Sequence, residues 1–172
     1  MNSRKIRSLA GAAALCLLTG PAFADDCAPV ISSTIASAKA PHSSTVARTD
    51  ASGHSSVGHL VQTTDLAYIE RNGKWVSLKN SSQDLVDRVN ENLKTTKLTC
   101  TRSGTEAING EPTTVYTVHT ENEGSTSDAK VWISAQNLQV KTDVHTEGTH
   151  AVTTVDYAHV KAPEGAAPLA RQ

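Results

Sequence analysis

The stretch "AKVWISAQNLQVKTDVH", residues 129–145, carries the clearest fold signal in the sequence. Its two apolar runs flank Ala135-Gln136-Asn137, a connection of hairpin length. Along the second run the side chains alternate between two faces, with Leu138, Val140, Thr142 and Val144 on one and Gln139, Lys141, Asp143 and His145 on the other. This alternation predicts a strand that is buried on one face and solvated on the other.

Similar strand runs occur along most of the chain. Asn72-Gly73 and Asn109-Gly110 each separate two such runs, and Asn-Gly is the strongest short-range hairpin signal. Residues 50–53 make another connection of hairpin length. Val and Thr dominate these runs, and β-branched side chains suit a pleated, half-buried surface. The sequence therefore predicts a mainly β, α+β domain with one large antiparallel sheet.

Two segments have helical spacing instead. In residues 27–40 one face collects Cys27, Ile31, Thr34, Ile35 and Ala38. In residues 82–95 Leu85, Val86, Val89 and Leu93 form an apolar stripe, and Ser81 with Asp84 three positions on predicts a helix cap. We expect two short helices that cover one face of the sheet.

The first residues are typical of a secretory signal. Arg4, Lys5 and Arg7 precede a short apolar run, and Ala22-Phe23-Ala24 is a cleavage site of the A-x-A type. The run is too short to span a bilayer. We expect residues 1–24 to be a cleaved signal peptide, residues 25–161 one β-rich domain, and residues 162–172 a flexible tail.

The cysteines indicate the compartment. Cys16 leaves with the signal, and Cys27 follows Asp26 where lipoprotein processing would require a small residue. Cys27 and Cys100 remain, and in an oxidising compartment they should form a disulfide. The prediction is a periplasmic protein with no stable membrane anchor. Cleavage removes three positive charges and changes the net charge from −1 to −4, which argues against a nucleic-acid partner.

Three segments together resemble a known family. Asn72-Gly73-Lys74-Trp75, Asn109 to Tyr116, and Lys130 to Lys141 are similar to the two Asn-Gly hairpins and the late strand pair of periplasmic proteins with the LolA/LolB-like lipoprotein-carrier fold. The resemblance implies a strongly curved half-barrel with helices as a lid, and an apolar cargo. Asn137 stands where Gly is expected and tolerates the left-handed conformation that such a turn needs.

Possible catalytic and metal motifs are weak. "GHSSVG", residues 53–58, is one residue too long for a nucleophile elbow and lies in a predicted hairpin. In "HTEGTH" Glu147-Gly148 is a predicted turn, so His145 and His150 face each other across a hairpin rather than sharing a helix. Exposed strand-end histidines are the prediction there, a transition-metal site the alternative, and His119 and His159 could join such a cluster. We predict no enzyme activity, no cofactor and no metal.

Two functions fit the sequence. The first is a non-catalytic carrier that binds a lipid-like or other apolar small molecule in a pocket between the helices and the sheet. We expect the following residues to line it: Ile31, Ile35, Tyr68, Trp75, Leu85, Val89, Leu93 and Trp132. The second is an envelope protein that acts through a protein partner, using the sheet edge or the convex face.

Overall fold

The computed structural model describes residues 27–168, so the predicted signal peptide and the end of the predicted tail lie outside the described residues. The elements in chain order are α1 (Ala28–Lys39), β1 (His42–Asp50), β2 (Ser55–Gln62), β3 (Ala67–Arg71), β4 (Lys74–Leu78), α2 (Ser82–Thr95), β5 (Lys97–Ile108), β6 (Glu111–Asn122), β7 (Ser125–Ser134), β8 (Gln139–Thr146), β9 (Thr149–Asp156) and β10 (Ala167–Pro168). Both predicted helices are confirmed. Neither of these two helices has the length and apolar character of a membrane span.

The strands form a single open sheet in the order β10-β4-β3-β2-β1-β9-β8-β7-β6-β5. The strands β1 to β4 pair consecutively as antiparallel hairpins, the strands β5 to β9 do the same, and β1 pairs with β9 at the centre. The mainly β, α+β fold class with one large curved sheet is confirmed. One detail differs, because Ala167 and Pro168 of the predicted tail pair with β4 in the parallel direction and make the sheet mixed.

The predicted turns are built by residues in the left-handed region. Asn72 and Asn109 have φ values of 52°, and each is followed by a glycine that also has positive φ. Asn137 has φ of 60° in the β7–β8 turn. These are the dihedral angles that Asn and Gly adopt most readily, and the hairpins predicted at these three positions are confirmed.

The strand β8 departs from the predicted alternation at its first residue. A register shift in the β7–β8 pairing lies between Trp132 and Ile133, whose partners are Lys141 and Gln139. This bulge places Gln139 on the face that contacts α1, while Lys141 lies on the opposite face above the Trp132 ring. The prediction that Gln139 and Lys141 share a face was wrong, because an extra residue in one strand reverses the side-chain order.

The predicted disulfide is present. Cys27 and Cys100 are bonded, with their Cα atoms 5.1 Å apart. Cys27 immediately precedes α1 and Cys100 lies in β5, so the bond fixes the start of the first helix to the edge strand of the sheet.

Candidate functional site: an apolar cavity beneath the helices

The first helix packs on the sheet through a small apolar cluster. Val30 of α1 contacts a buried set on β5, β6 and β7 that consists of Cys100, Val118, Val131 and Ile133. Each of these side chains is almost fully buried. The buried helical residues are Val30, Ser33 and Ala38, so the helix is turned from the orientation that the predicted stripe of Ile31 and Ile35 implies.

Hydroxyl groups hold the same helix against β8. The Gln139 side-chain amide donates to Thr34 Oγ1 at 2.8 Å and to Ser33 Oγ at 3.3 Å. The Gln139 backbone N–H donates to Ser37 Oγ at 2.8 Å. The bulge that turns Gln139 toward the helix therefore supplies the polar half of the helix–sheet contact, which fixes the rotation of α1 about its axis.

The second helix packs against the first and is capped as predicted. The Ser81 hydroxyl accepts a hydrogen bond from the Asp84 backbone N–H at 3.2 Å, and Asp84 Oδ2 accepts one from the Ser81 backbone N–H at 2.7 Å. Hydrogen bonds from the Ser81 side chain and backbone lower the pKa of the Asp84 carboxyl below its ordinary value of 3.8. The start of α2 is further joined to the β2–β3 turn through a hydrogen bond from Ser82 N–H to the Thr64 carbonyl.

A cavity of about 270 Å³ lies where α1, α2 and four strands meet. Residues from the two helices and the segment after α2 form one side of it: Val30, Ile31, Thr34, Val89, Asn92, Leu93 and Thr96. Residues of β5 to β8 form the other side: Leu98, Val118, Thr120, Val131 and Gln139. Its volume is just below the range of roughly 300–1,000 Å³ that small-molecule pockets occupy, and its lining surface is mostly apolar with some polar groups, as such pockets have.

Three of the eight residues predicted to line a pocket come together here. Ile31 from α1, and Val89 and Leu93 from α2, all border the cavity. Ile35 and Leu85 lie on the same two helices but are not among its lining residues. The predicted lid residues that border the cavity therefore lie in the first half of α1 and the second half of α2.

The three predicted aromatic walls lie elsewhere. Trp132 follows Val131 in a strand and so points to the opposite face, where its indole Nε1–H donates to Glu106 Oε2 at 2.8 Å and Lys141 Nζ lies 4.5 Å from the ring centroid. Tyr68 and Trp75 belong to β3 and β4, at the other end of the sheet order from β5. Trp75 borders a separate cavity of about 320 Å³ with residues of β1, β2 and β9.

Sequence reasoning missed the sheet side of the cavity. Val118 and Thr120 alternate with exposed or half-buried neighbours in β6, and this period-two pattern was available as a signal. Gln139 and Asn92 were not detectable, because one depends on a bulge and the other on the packing of α2 beside α1.

The other sequence motifs considered as sites form turns or single histidine–aspartate pairs, except for the pair of His145 and His150. "GHSSVG" spans the β1–β2 turn and the start of β2, so no strand-to-helix elbow forms there. His119 Nδ1 pairs with Asp128 at 2.8 Å, and His159 Nδ1 pairs with Asp156 at 3.3 Å. His145 and His150 are the exception, because they stack directly across the β8–β9 hairpin.

Comparison with known proteins gives fold neighbours only. No protein-family model matches the chain, and no curated protein sequence matches it. Among solved structures, LprF from Mycobacterium bovis is 14% identical over 80% of this chain and 95% of its own, with a TM-score of 0.47. The Mycobacterium tuberculosis lipoprotein LppX is 16% identical over 80% of this chain and 99% of its own, with a TM-score of 0.46.

A third similar structure is MucB of Pseudomonas aeruginosa, in its complex with MucA. It is 10% identical over 80% of this chain, with a TM-score of 0.51, and the match spans 59% of the MucB chain. At this identity the likeness shows a shared fold. It agrees with the strongly curved, open sheet that the Asn-Gly hairpins and the β7–β8 strand pair predicted.

Proposed function

We propose that this chain is a non-catalytic, extracytoplasmic binding module for an apolar small molecule or a lipid acyl chain. The observation that carries the proposal is the mostly apolar cavity of about 270 Å³ between α1, α2 and the sheet. An apolar surface of this kind binds water weakly, so an apolar ligand can replace the water there. The Cys27–Cys100 bond fits a chain exported to an oxidising compartment, for which we propose the periplasm.

The position of the cavity suits reversible loading. Its upper side consists of helical side chains and its lower side of the sheet, and of the two helices α1 is the one joined to the sheet by the disulfide. The half of the lid formed by Val89 and Leu93 belongs to α2, which packs against α1 and is joined to the sheet by hydrogen bonds at its first turn and by one from Asn122 of β6 to Thr96 after its last turn. A change in the packing of α2 against α1 would widen the cavity while the pairing of β5 to β8 is kept.

The test uses two tryptophan variants. Val89→Trp fills the cavity, whereas Val57→Trp adds the same ring to a side chain that is 64% exposed on β2. We expect the mature protein to bind a fluorescent fatty acid, the Val89→Trp variant to bind it at least tenfold more weakly, and the Val57→Trp control to bind it like the wild type. Circular dichroism and thiol titration check that both variants keep the fold and the disulfide.

The natural ligand is sought by native mass spectrometry and solvent extraction of protein purified from its own host. A lipid or isoprenoid that co-purifies with the wild type and not with Val89→Trp supports the proposal. Protein that is empty on purification, and stays empty when offered fatty acids and phospholipids, overturns it.

One observation favours a second function, the recognition of a protein partner. The strand β5 forms one edge of the ten-stranded sheet, is long, and has mostly exposed residues, so it can accept an added strand. MucB, which shares the fold, was solved in a complex with MucA. An empty wild-type protein, together with a Val89→Trp variant that still restores the phenotype of a deletion strain, would favour this function over the carrier.

A further inference from the structure

The β8–β9 hairpin brings together three side chains that are typical metal ligands. His145 and His150 are register partners across the hairpin, and Asp143 lies two residues before His145 on the same face of β8. This face is opposite to the one that packs on α1, since Lys141 shares it and lies over Trp132. The group is therefore separate from the cavity beneath the helices.

The three potential ligand atoms converge. His150 Nε2 lies 2.8 Å and His145 Nε2 lies 3.2 Å from the same oxygen, Asp143 Oδ1. All three ligand atoms lie within 4.8 Å of one another. The imidazole rings are stacked, with centroids 4.1 Å apart and an angle of 8° between their planes. The Nε2 atoms of the two histidines and the Asp143 oxygen together supply three of the four ligands of a tetrahedral metal site.

The spacing fits a bound transition metal after small side-chain rotations. Nitrogen and carboxylate ligands lie about 2.0–2.2 Å from Zn²⁺, so two ligands of a tetrahedral site are roughly 3.4 Å apart. The two nitrogen–oxygen distances are slightly shorter than that, and they lengthen when the imidazole rings splay apart. The side chains of His145 and His150 are 62% and 43% exposed, so the rings have room to do so.

We propose that Asp143 Oδ1, His145 Nε2 and His150 Nε2 form a surface site for a divalent transition metal such as Zn²⁺ or Cu²⁺. Imidazole nitrogen favours these ions over Mg²⁺ and Ca²⁺, which prefer shells made only of oxygen. The metal takes the place of the two Nε2–H protons that point at Asp143, and each ring binds it as the tautomer that carries its proton on Nδ1. Water completes the coordination.

The charged residues on the neighbouring strand β7 do not add ligands to this site. Asp128 is the register partner of His145 on β7, but its carboxylate is already hydrogen-bonded to His119. Lys130 is the register partner of Asp143 and brings a positive charge beside it. The site therefore has three protein ligands, and its single carboxylate gives it the composition of a transition-metal site rather than of a calcium site.

The test is titration of untagged mature protein with Zn²⁺ and with Cu²⁺ by calorimetry, using glycine as a competitor for copper. We expect one ion per chain and at least a tenfold loss of affinity in each of Asp143→Asn, His145→Gln and His150→Gln. His159→Gln is the matched control, because His159 also pairs with an aspartate, Asp156 at 3.3 Å, and does not belong to the group of converging ligand atoms found within residues 27–168. This control should bind the metal like the wild type.

Two further measurements make the result decisive. Copper bound at the site should show coupling to two nitrogen nuclei in its electron paramagnetic resonance spectrum, and His150→Gln should reduce this to one. Fatty-acid binding in the His150→Gln variant should be unchanged, since the cavity lies on the other face. The proposal is overturned if no ion binds, if Mg²⁺ or Ca²⁺ competes equally with Zn²⁺, or if His159→Gln weakens binding as much as His150→Gln.

Discussion

The two halves of the sheet are covered very differently. In the half formed by β5 to β8, α1 lies on one face and the cluster of Val30, Cys100, Val118, Val131 and Ile133 is almost fully buried. In the hairpin of β1 and β2, Val61 and Gln62 are buried at the end of β2, and Val57 is 64% exposed. The same β-branched composition thus produces a contiguous core in one half and an exposed or half-buried surface over most of the β1–β2 hairpin in the other.

The difference shows that the position of the helices, and not strand composition, decides where a core and a cavity form. The disulfide joins α1 to β5, at the edge of the covered half. The cavity lies beneath the same helix, and the histidine pair lies on the face away from it. If this view is correct, substitutions in the covered half should cost far more stability than the same substitutions in the open half.

The largest effect is expected from removing the disulfide. Replacing both Cys27 and Cys100 by Ser opens a loop between residues 73 positions apart. On the loop-entropy model this lowers the free energy of unfolding by about 4 kcal/mol, which urea titration would measure. Amide hydrogen exchange should rise most in α1 and β5. If amide exchange rises equally in β1 to β4, the disulfide stabilises both halves of the sheet alike, and the comparison fails.

An intermediate effect is expected from one matched pair of truncations. Val118→Ala removes two methyl groups from a side chain that is 4% exposed and should lower the free energy of unfolding by about 2 kcal/mol, from lost burial and the space left behind. Val57→Ala is the same change in the open half and should stay within about 0.5 kcal/mol of the wild type. Equal losses in the two variants would contradict the comparison.

The smallest effect is expected at the cap of α2. Ser81→Ala removes the hydroxyl that accepts the Asp84 N–H and should cost about 1 kcal/mol, again measured by urea titration.

A related effect of pH is expected at Asp84. Because the folded-state pKa of Asp84 is lowered, its stabilising contribution is present at neutral pH and is lost as the pH falls through that pKa, below 3.8. The stability of Asp84→Asn should therefore approach that of the wild type in acid; a constant difference would show that the carboxylate charge is not involved.

The local features of the fold were predictable because local residues determine them. Asn72, Asn109 and Asn137 adopt the left-handed dihedral angles that their turns require, and Ser81 with Asp84 caps α2 at the predicted residue. The reversed face of Gln139 was not predictable, since a bulge depends on how two strands pair over their whole length. The short strand β10 was missed because two residues carry no periodicity.

The candidate sites were predictable only in part, for a related reason. Helical spacing identified Ile31, Val89 and Leu93 as lining residues. Trp132 was expected to line the same cavity, but its neighbour Val131 does so, and Trp132 therefore lies on the opposite face of β7. The hairpin brought His145 and His150 together as its turn implied. Asp143 was overlooked, although the two-residue period of β8 places it on the same face as His145.

The pairing of β1 with β9 has a consequence for how the chain folds. Arg48 and Thr149 are hydrogen-bonded across this pair although they are 101 positions apart. The strands β1 to β4 form one array of neighbours, and β9 is the strand that joins this array to β5 to β8. Since β9 is among the last strands to be synthesised, the outer edge of β1 stays unpaired until then. Contacts between such distant residues form slowly. We therefore expect two hairpin arrays to form first and β9 to join them in the rate-limiting step, during which the open edge of β1 is the segment most exposed to misassembly.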